Sequence, residues 1–319
     1  MRSASLVVAA FTLVASAATP LACGSSNPPS GFTSTDGGSS GSSGSGGSSG
    51  GSGSGSGGSL GGDGPSLVGD GGTAMQDSAP PMAVPVVYAH SADTLYRLDP
   101  MNDQVAIVGQ FNGCTSVIDI ALDQSSNAYV TTASGFFGVD LKTAACTHIA
   151  DGNYPNSLSF VPKGTLDPNA EALVGYVGST YIRVDVGTGA ITNVGMLTGG
   201  YTSSGDIVSV IGGGTFLTVK GGNQNCDDCL LQVDPKTGNL IQNYGNVNHQ
   251  DVFGLAFWAG TAYGFDNGGE MFAISYQNGA LVTTNIPVPN PPPNLSFWGA
   301  GSTTAAPPTS ADGGGIPIQ

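Results

Sequence analysis

Five segments of this 319-residue chain align without a gap, and that repeat constrains the fold more than any other feature. They are Leu95–Asp103, Phe136–Ala144, Tyr181–Gly189, Leu230–Gly238 and Met271–Gly279. Each reads as an alternating apolar strand, a turn and the start of a second apolar strand. Asp opens the turn at 99, 140, 185 and 234, and Ser does so at 275, which gives spacings of 41, 45, 49 and 41 residues. The run Asp234-Pro-Lys-Thr-Gly238 shows why this composition turns. The Asp side chain accepts from the turn's own backbone, Pro presets φ, and Gly takes the positive-φ position before the return strand.

A second element recurs between the hairpins, an apolar–small–apolar strand. It reads Ile120-Ala121-Leu122, Leu158-Ser159-Phe160, Val208-Ser209-Val210, Leu255-Ala256-Phe257 and Leu295-Ser296-Phe297. A further strand usually follows, as at Asn127–Val130 and Thr261–Gly264, making four strands per period of about 45 residues. Short strands at a fixed period of this length form the blades of a β-propeller. The small residue suits the innermost strand, where blades converge on the axis. The first hairpin has no inner strand before it and the last inner strand, at 295–298, has no hairpin after it. The expectation is therefore all-β: a five-bladed β-propeller over 81–306, closed by strands from both termini of the domain, with a disordered tail at 307–319. Closure of this kind removes the exposed sheet edge.

Composition agrees and excludes several functions. The chain carries 7 Lys+Arg against 22 Asp+Glu, a formal net charge of −15. Nucleic-acid binding needs clustered cations, so no nucleic-acid partner is expected. Only Glu171 and Glu270 are glutamates, too few for the charged faces of long amphipathic helices.

The N-terminus has a basic Arg2, an apolar run from Leu6 to Ala18 and small residues before a cysteine, the order of a secretory signal peptide. Leu21-Ala22-Cys23 resembles the lipobox of bacterial lipoproteins, with Pro20 where an aliphatic residue is usual. The resemblance implies a signal peptide over 1–22 and acylation of Cys23. Cleavage after Ala15-Ser16-Ala17 is the alternative. Gly24 in place of Asp resembles the outer-membrane sorting pattern of enteric lipoproteins. The expected location is thus the bacterial cell envelope, lipid-anchored at the outer membrane, with the lipid as the only membrane contact. Residues 23–80, dominated by Gly and Ser over 36–72, cannot bury a core and read as a disordered tether. A flexible linker of that length spans roughly 40–45 Å.

Asp119-Ile-Ala-Leu-Asp-Gln-Ser-Ser-Asn-Ala-Tyr-Val130 resembles the repeat of NHL and SMP-30-type propellers. The Asp-Pro-Lys-Thr-Gly turn resembles that of other bacterial propellers built on Leu-Tyr-x-Ile-Asp-Pro-x-Thr-Gly. SMP-30-type lactonases hold a divalent metal in the channel through Glu, Asn and Asp. This chain has two glutamates and five periods rather than six, so that metal site does not carry over.

Four cysteines follow Cys23. In an exported chain an even number implies disulfides. Cys226 and Cys229 read as a local staple, with redox or zinc chemistry as the alternative, and Cys114 then pairs with Cys146 by elimination. Loops entering the inner strands ring the mouth of the channel and carry Asp119, Asn156, Asp206, His249, Asp251 and Asn294. Such oxygens would suit Ca²⁺; equally, Asp and Asn make turns. Trp258 and Trp298 offer an aromatic platform for a sugar or pack between blades. The leading expectation is a non-catalytic binding or scaffold module for a protein or glycan partner. The alternative is a metal-dependent hydrolase or lactonase at the channel mouth, and it requires Asp119, Asp206, His249 and Asp251 to converge.

Overall fold

The computed structural model describes residues 86–223, 226–309 and 316, all within one unit, Ala74–Gln319. The expected signal peptide, Cys23 and the tether lie outside the described residues, as does most of the tail. Twenty strands form five four-stranded antiparallel sheets among the described residues. The first sheet takes β1 (Val87–His90), β2 (Thr94–Asp99) and β3 (Gln104–Gln110). The second holds β4 (Val117–Leu122), β5 (Ala128–Thr132), β6 (Gly135–Val139) and β7 (Cys146–Asp151). The third holds β8 (Leu158–Val161), β9 (Ala172–Val177), β10 (Thr180–Val184) and β11 (Ile191–Met196). The fourth holds β12 (Tyr201–Ser209), β13 (Thr215–Gly221), β14 (Cys226–Val233) and β15 (Leu240–Asn246). The fifth holds β16 (Val252–Trp258), β17 (Thr261–Asp266), β18 (Met271–Gln277) and β19 (Ala280–Ile286). Last in the chain, β20 (Gly299–Ser302) pairs with β1 and completes the first sheet in the order β20-β1-β2-β3.

The arrangement is a five-bladed β-propeller closed by strands from both ends of the domain, as the phase of the repeat predicts. Burial falls from the axis outward: β20 and β8 are buried throughout, whereas β3 and β11 are exposed or half-buried along their length. Aromatic side chains fill the space between blades. Phe216 and Phe257 stack at 5.8 Å across blades four and five, and Tyr129 meets Phe160 at 5.6 Å across blades two and three. The buried hydroxyl of Tyr176 donates to Gly238 O at 2.7 Å, tying blade three to the hairpin turn of blade four.

Four of the five turns follow the sequence reading. Asp99, Asp140, Asp185 and Asp234 each accept from the backbone N–H two residues on, at 2.8–3.0 Å. Positive φ falls at Asp103, Ala144, Gly189 and Gly238, the same aligned position in each. The fifth differs. There β18 runs on through Ser275 to Gln277, which pairs with Ala280. Asn278 and Gly279 form the turn, with φ of 51° and 86°, the signature of a two-residue type I′ hairpin. Ser lacks the carboxylate that stops the strand in the other repeats.

The innermost strand of blade one is a second difference. Its expected position was Leu295–Trp298, but β20 is Gly299–Ser302. An apolar–small–apolar pattern also describes the segment leading in. Phe297 is buried because it wedges edge-on against Tyr96 and Phe265, not because it lies on a strand. Within the expected tail, Ile316 is buried and its N–H donates to Gly260 O at 2.9 Å. Both disulfides form, Cys114–Cys146 and Cys226–Cys229. The first is reachable because Asn112 bridges Ala145 in parallel, bringing the β3–β4 loop onto the start of β7.

Candidate functional site

Strand register defines which residues are equivalent at the axis. The second residues of the five hairpin repeats, Tyr96, Phe137, Ile182, Leu231 and Phe272, pair with Ala89, Val130, Gly175, Leu217 and Gly264. Those pair in turn with Ala300, Ile120, Leu158, Ile207 and Leu255 of the inner strands. The residues one step earlier therefore form a ring: Gly299, Asp119, Ser157, Asp206 and Gly254. All five are buried.

The two carboxylates of this ring bind backbone. Asp119 accepts from Ile120 N at 2.7 Å and, across the blade boundary, from Leu158 N at 2.5 Å. Asp206 repeats the arrangement with Ile207 N at 2.6 Å and Leu255 N at 2.8 Å. Each thus clips its inner strand to the next blade, two to three and four to five. The two carboxyl groups also interact directly, so the second and fourth blades meet across the axis. Burial raises both far above the usual carboxylate range, and the repulsion of Asp119 raises Asp206 further. Two such groups out of water cannot both ionise readily, so the pair retains a proton.

His90 completes this centre. Its ring is fully buried and lies edge-on to Phe111. Burial lowers its pKa to about 4, so the imidazole is neutral. Nδ1 lies 2.9 Å from Ser91 O, while Nε2 and the hydroxyl of Ser157 have no hydrogen-bond partner among the described residues. A Cβ on Gly299 would fall 2.4 Å from His90 Nε2 and 2.7 Å from Asp119 Oδ1, which explains the glycine there. The sequence reading gave His90 no role. Its signal would have been its place at the end of β1, directly beside the closing strand.

His249 and Asp251 lie elsewhere, in the β15–β16 loop. They line a cavity of about 530 Å³ with Asn248, Gln250, Asp266, Asn267, Gly268 and Glu270. The β17–β18 turn supplies the far wall: Asp266 N donates to Glu270 O and Gly269 N to Asp266 O, which brings the two carboxylates to one side. Asn267 N donates to Asp251 O at 3.0 Å and fixes the two loops together. His249 stacks on Phe272 at 3.6 Å with an interplanar angle of 9°. Its Nδ1 lies 3.2 Å from Asp266 Oδ2 and 3.4 Å from Glu270 Oε2. Asp251 turns away to Lys220, whose Nζ donates to Oδ1 at 3.0 Å.

The six residues expected to ring the channel therefore divide. Asp119 and Asp206 pair at the axis, while His249 and Asp251 line a separate cavity. Asn156 and Asn294 are exposed and belong to neither, Asn294 holding a turn at φ 60°. Asp266 and Glu270 were missed; an Asp and a Glu flanking Asn267-Gly268-Gly269 were the available signal. Trp258 is buried, so the two tryptophans do not form one exposed platform, and Trp298 donates to Ser296 Oγ at 3.1 Å.

No protein-family model matches this chain, and no curated protein does. Among solved structures, it is similar to the Kuenenia stuttgartiensis hydrazine synthase at 11% identity and TM-score 0.37, covering 64% of this chain and 63% of that one. The chain thus spans less than two thirds of that enzyme chain. A Bacteroides caccae protein of unknown function shows 11% identity and TM-score 0.37 over 67% of this chain and 77% of its own. A chain of the nidogen/laminin complex shows 11% identity and TM-score 0.43 over 68% of this chain and 97% of its own.

Proposed function

We propose that this chain is a lipid-anchored protein of the bacterial cell envelope whose propeller is a non-catalytic binding module for a protein partner. Fold alone does not assign function, so the reading rests on the site. The observation that carries it is the division of the expected catalytic set. Asp119 and Asp206 are fully buried and each spends one oxygen on a backbone N–H of its own strand and the other on one of the next blade, whereas His249 and Asp251 line a different cavity. A hydrolase at the channel mouth would need those groups around one open cleft. The leader, Cys23 and the Gly/Ser run support a leashed disc that searches the space near a membrane for its partner.

Two measurements test this. Cys23→Ala should move the protein from the membrane fraction to the soluble one; retention in the membrane would refute acylation as the anchor. Crosslinking in intact cells should give a discrete adduct, and excess soluble Cys23→Ala chain should compete it away. An adduct indifferent to competitor, or ester or lactone hydrolysis by the purified protein that is lost in Asp251→Ala, would overturn the binding-module reading.

A further inference from the structure

The cavity in blade five holds a donor set that the binding-module reading does not use. We propose that His249, Asp266 and Glu270 form a site for a borderline divalent transition metal, with Zn²⁺ as its representative. One donor atom from each residue lies within 4.8 Å of the other two. The distances from Nδ1 to the two carboxylate oxygens, 3.2 and 3.4 Å, are the informative ones. Zinc bonds to nitrogen and oxygen are about 2.0–2.1 Å, so two ligands of a tetrahedral ion stand about 3.3 Å apart. The histidine nitrogen already stands at that spacing from each of the two carboxylate oxygens.

The chemistry of the set favours the same class of ion. Imidazole suits Zn²⁺ and its neighbours, whereas Ca²⁺ takes an all-oxygen shell of six to eight donors. Three protein donors facing a cavity leave a position open, as in zinc sites that keep a water. The donors are also held in place. Stacking on Phe272 orients the imidazole, whose side chain is only 10% exposed. Asp266 is 5% exposed and its Oδ1 accepts from Glu270 N at 2.9 Å, leaving Oδ2 turned to the histidine. Among the described residues, no Lys or Arg lines the cavity. Lys220, the cation that reaches Asp251 on its wall, is engaged by Asp227, Asp228 and Asp251. Among the described residues, Asp266 and Glu270 have no Lys or Arg partner, and a bound dication supplies the charge they lack.

The test uses the untagged full chain, stripped with chelator and titrated with Zn²⁺ by calorimetry, then with Co²⁺ as an absorbing probe. One equivalent should bind, and Co²⁺ should show the visible bands of a low-coordinate nitrogen–oxygen site. His249→Ala loses the Phe272 stack as well as a donor, so Glu270→Gln is the decisive variant, because that side chain is 56% exposed. Glu270→Gln should weaken Zn²⁺ at least tenfold with an unchanged metal-free melting temperature. His148→Ala is the control, since His148 pairs with Asp151 on the surface at 2.9 Å. No measurable Zn²⁺ binding would overturn the proposal. So would equal affinity in Glu270→Gln, loss of binding in His148→Ala instead, or tighter binding of Ca²⁺ than of Zn²⁺.

Discussion

The buried pair at the axis should give this protein an unusual dependence of stability on pH. Asp119 and Asp206 have native pKa values raised by burial, so they hold a proton that the unfolded chain releases above about pH 3.9. Wherever the native state binds the extra proton, stability falls as pH rises, by about 1.4 kcal/mol per pH unit for each proton. His90 acts in the opposite sense. Burial lowers its native pKa to about 4, while the unfolded histidine takes up a proton below about 6.5. Between those values the unfolded state binds the extra proton, so stability rises with pH by about 1.4 kcal/mol per unit. With one proton retained by the pair, the two slopes cancel between about pH 4 and 6.5. Above pH 6.5 only the pair remains, and stability should decline until its proton leaves. Each pH unit of that decline amounts to about 1.4 kcal/mol, or roughly 3–6 °C in Tm for a domain of this size. Urea unfolding at half-unit intervals from pH 4 to 9 measures the profile. The double variant Asp119→Asn/Asp206→Asn cannot titrate, so its curve should lose the decline above pH 6.5. It leaves the burial-raised carboxyls of Asp228 and Glu171 and the chain's net negative charge as the background. A double variant as steep as the wild type, or a wild type that gains stability above pH 6.5, would refute the assignment.

Three further perturbations follow from the packing. Gly238 and Gly279 both have positive φ, 70° and 86°, but a Cβ on Gly238 would fall 2.5 Å from Tyr181 Cβ whereas one on Gly279 meets nothing within 4 Å. Gly279→Ala should cost about 1–2 kcal/mol from backbone strain alone, and Gly238→Ala clearly more; equal midpoints in urea would contradict the clash. Loop-closure entropy ranks the disulfides: removing Cys114–Cys146, with a separation of 32 residues, should cost about 4 kcal/mol, and removing Cys226–Cys229, with a separation of 3, about 2 kcal/mol. Paired Cys→Ala variants compared in non-reducing denaturant should keep that order. Ending the chain at Trp298 removes β20 and bares the edge of β1, so the truncated protein should aggregate or melt at much lower temperature, and a monomer of undiminished stability would show that the closing strand is dispensable.

Much of the architecture was legible because each hairpin carries its own stop signal. Asp99, Asp140, Asp185 and Asp234 turn the chain by accepting from their own backbone, a local interaction that one sequence displays in full. The inner strands have no such signal. Their identity depends on what they pair with, and patterning alone displaced two of them. Register puts Val208 where Ser209 was expected and Gly301 where Ser296 was, since Val208 pairs with Phe216 and Gly301 with Tyr88 as Ala121 pairs with Tyr129. The first of these shifts is one residue. It hides the equivalence of Asp119 and Asp206, which stand two residues before Ala121 and Val208 but at unequal distances from Ala121 and Ser209.

That equivalence is what distinguishes a structural ring from a catalytic one. Five residues occupy the same register position around the axis, Gly299, Asp119, Ser157, Asp206 and Gly254 in blade order. Gly254 and Gly299 are bare because a Cβ on Gly254 would strike the closing strand and one on Gly299 would strike His90 and Asp119. Asp119 and Asp206 each reach the backbone of the following blade. Removing either carboxylate leaves a buried N–H of the next blade without its acceptor, a loss of about 1–3 kcal/mol. The acidic residues nearest the axis are therefore joints between blades. The donors of the proposed metal site are the ones that sequence order separates, His249 on one loop and Asp266 and Glu270 flanking the next turn, joined only when blade five folds.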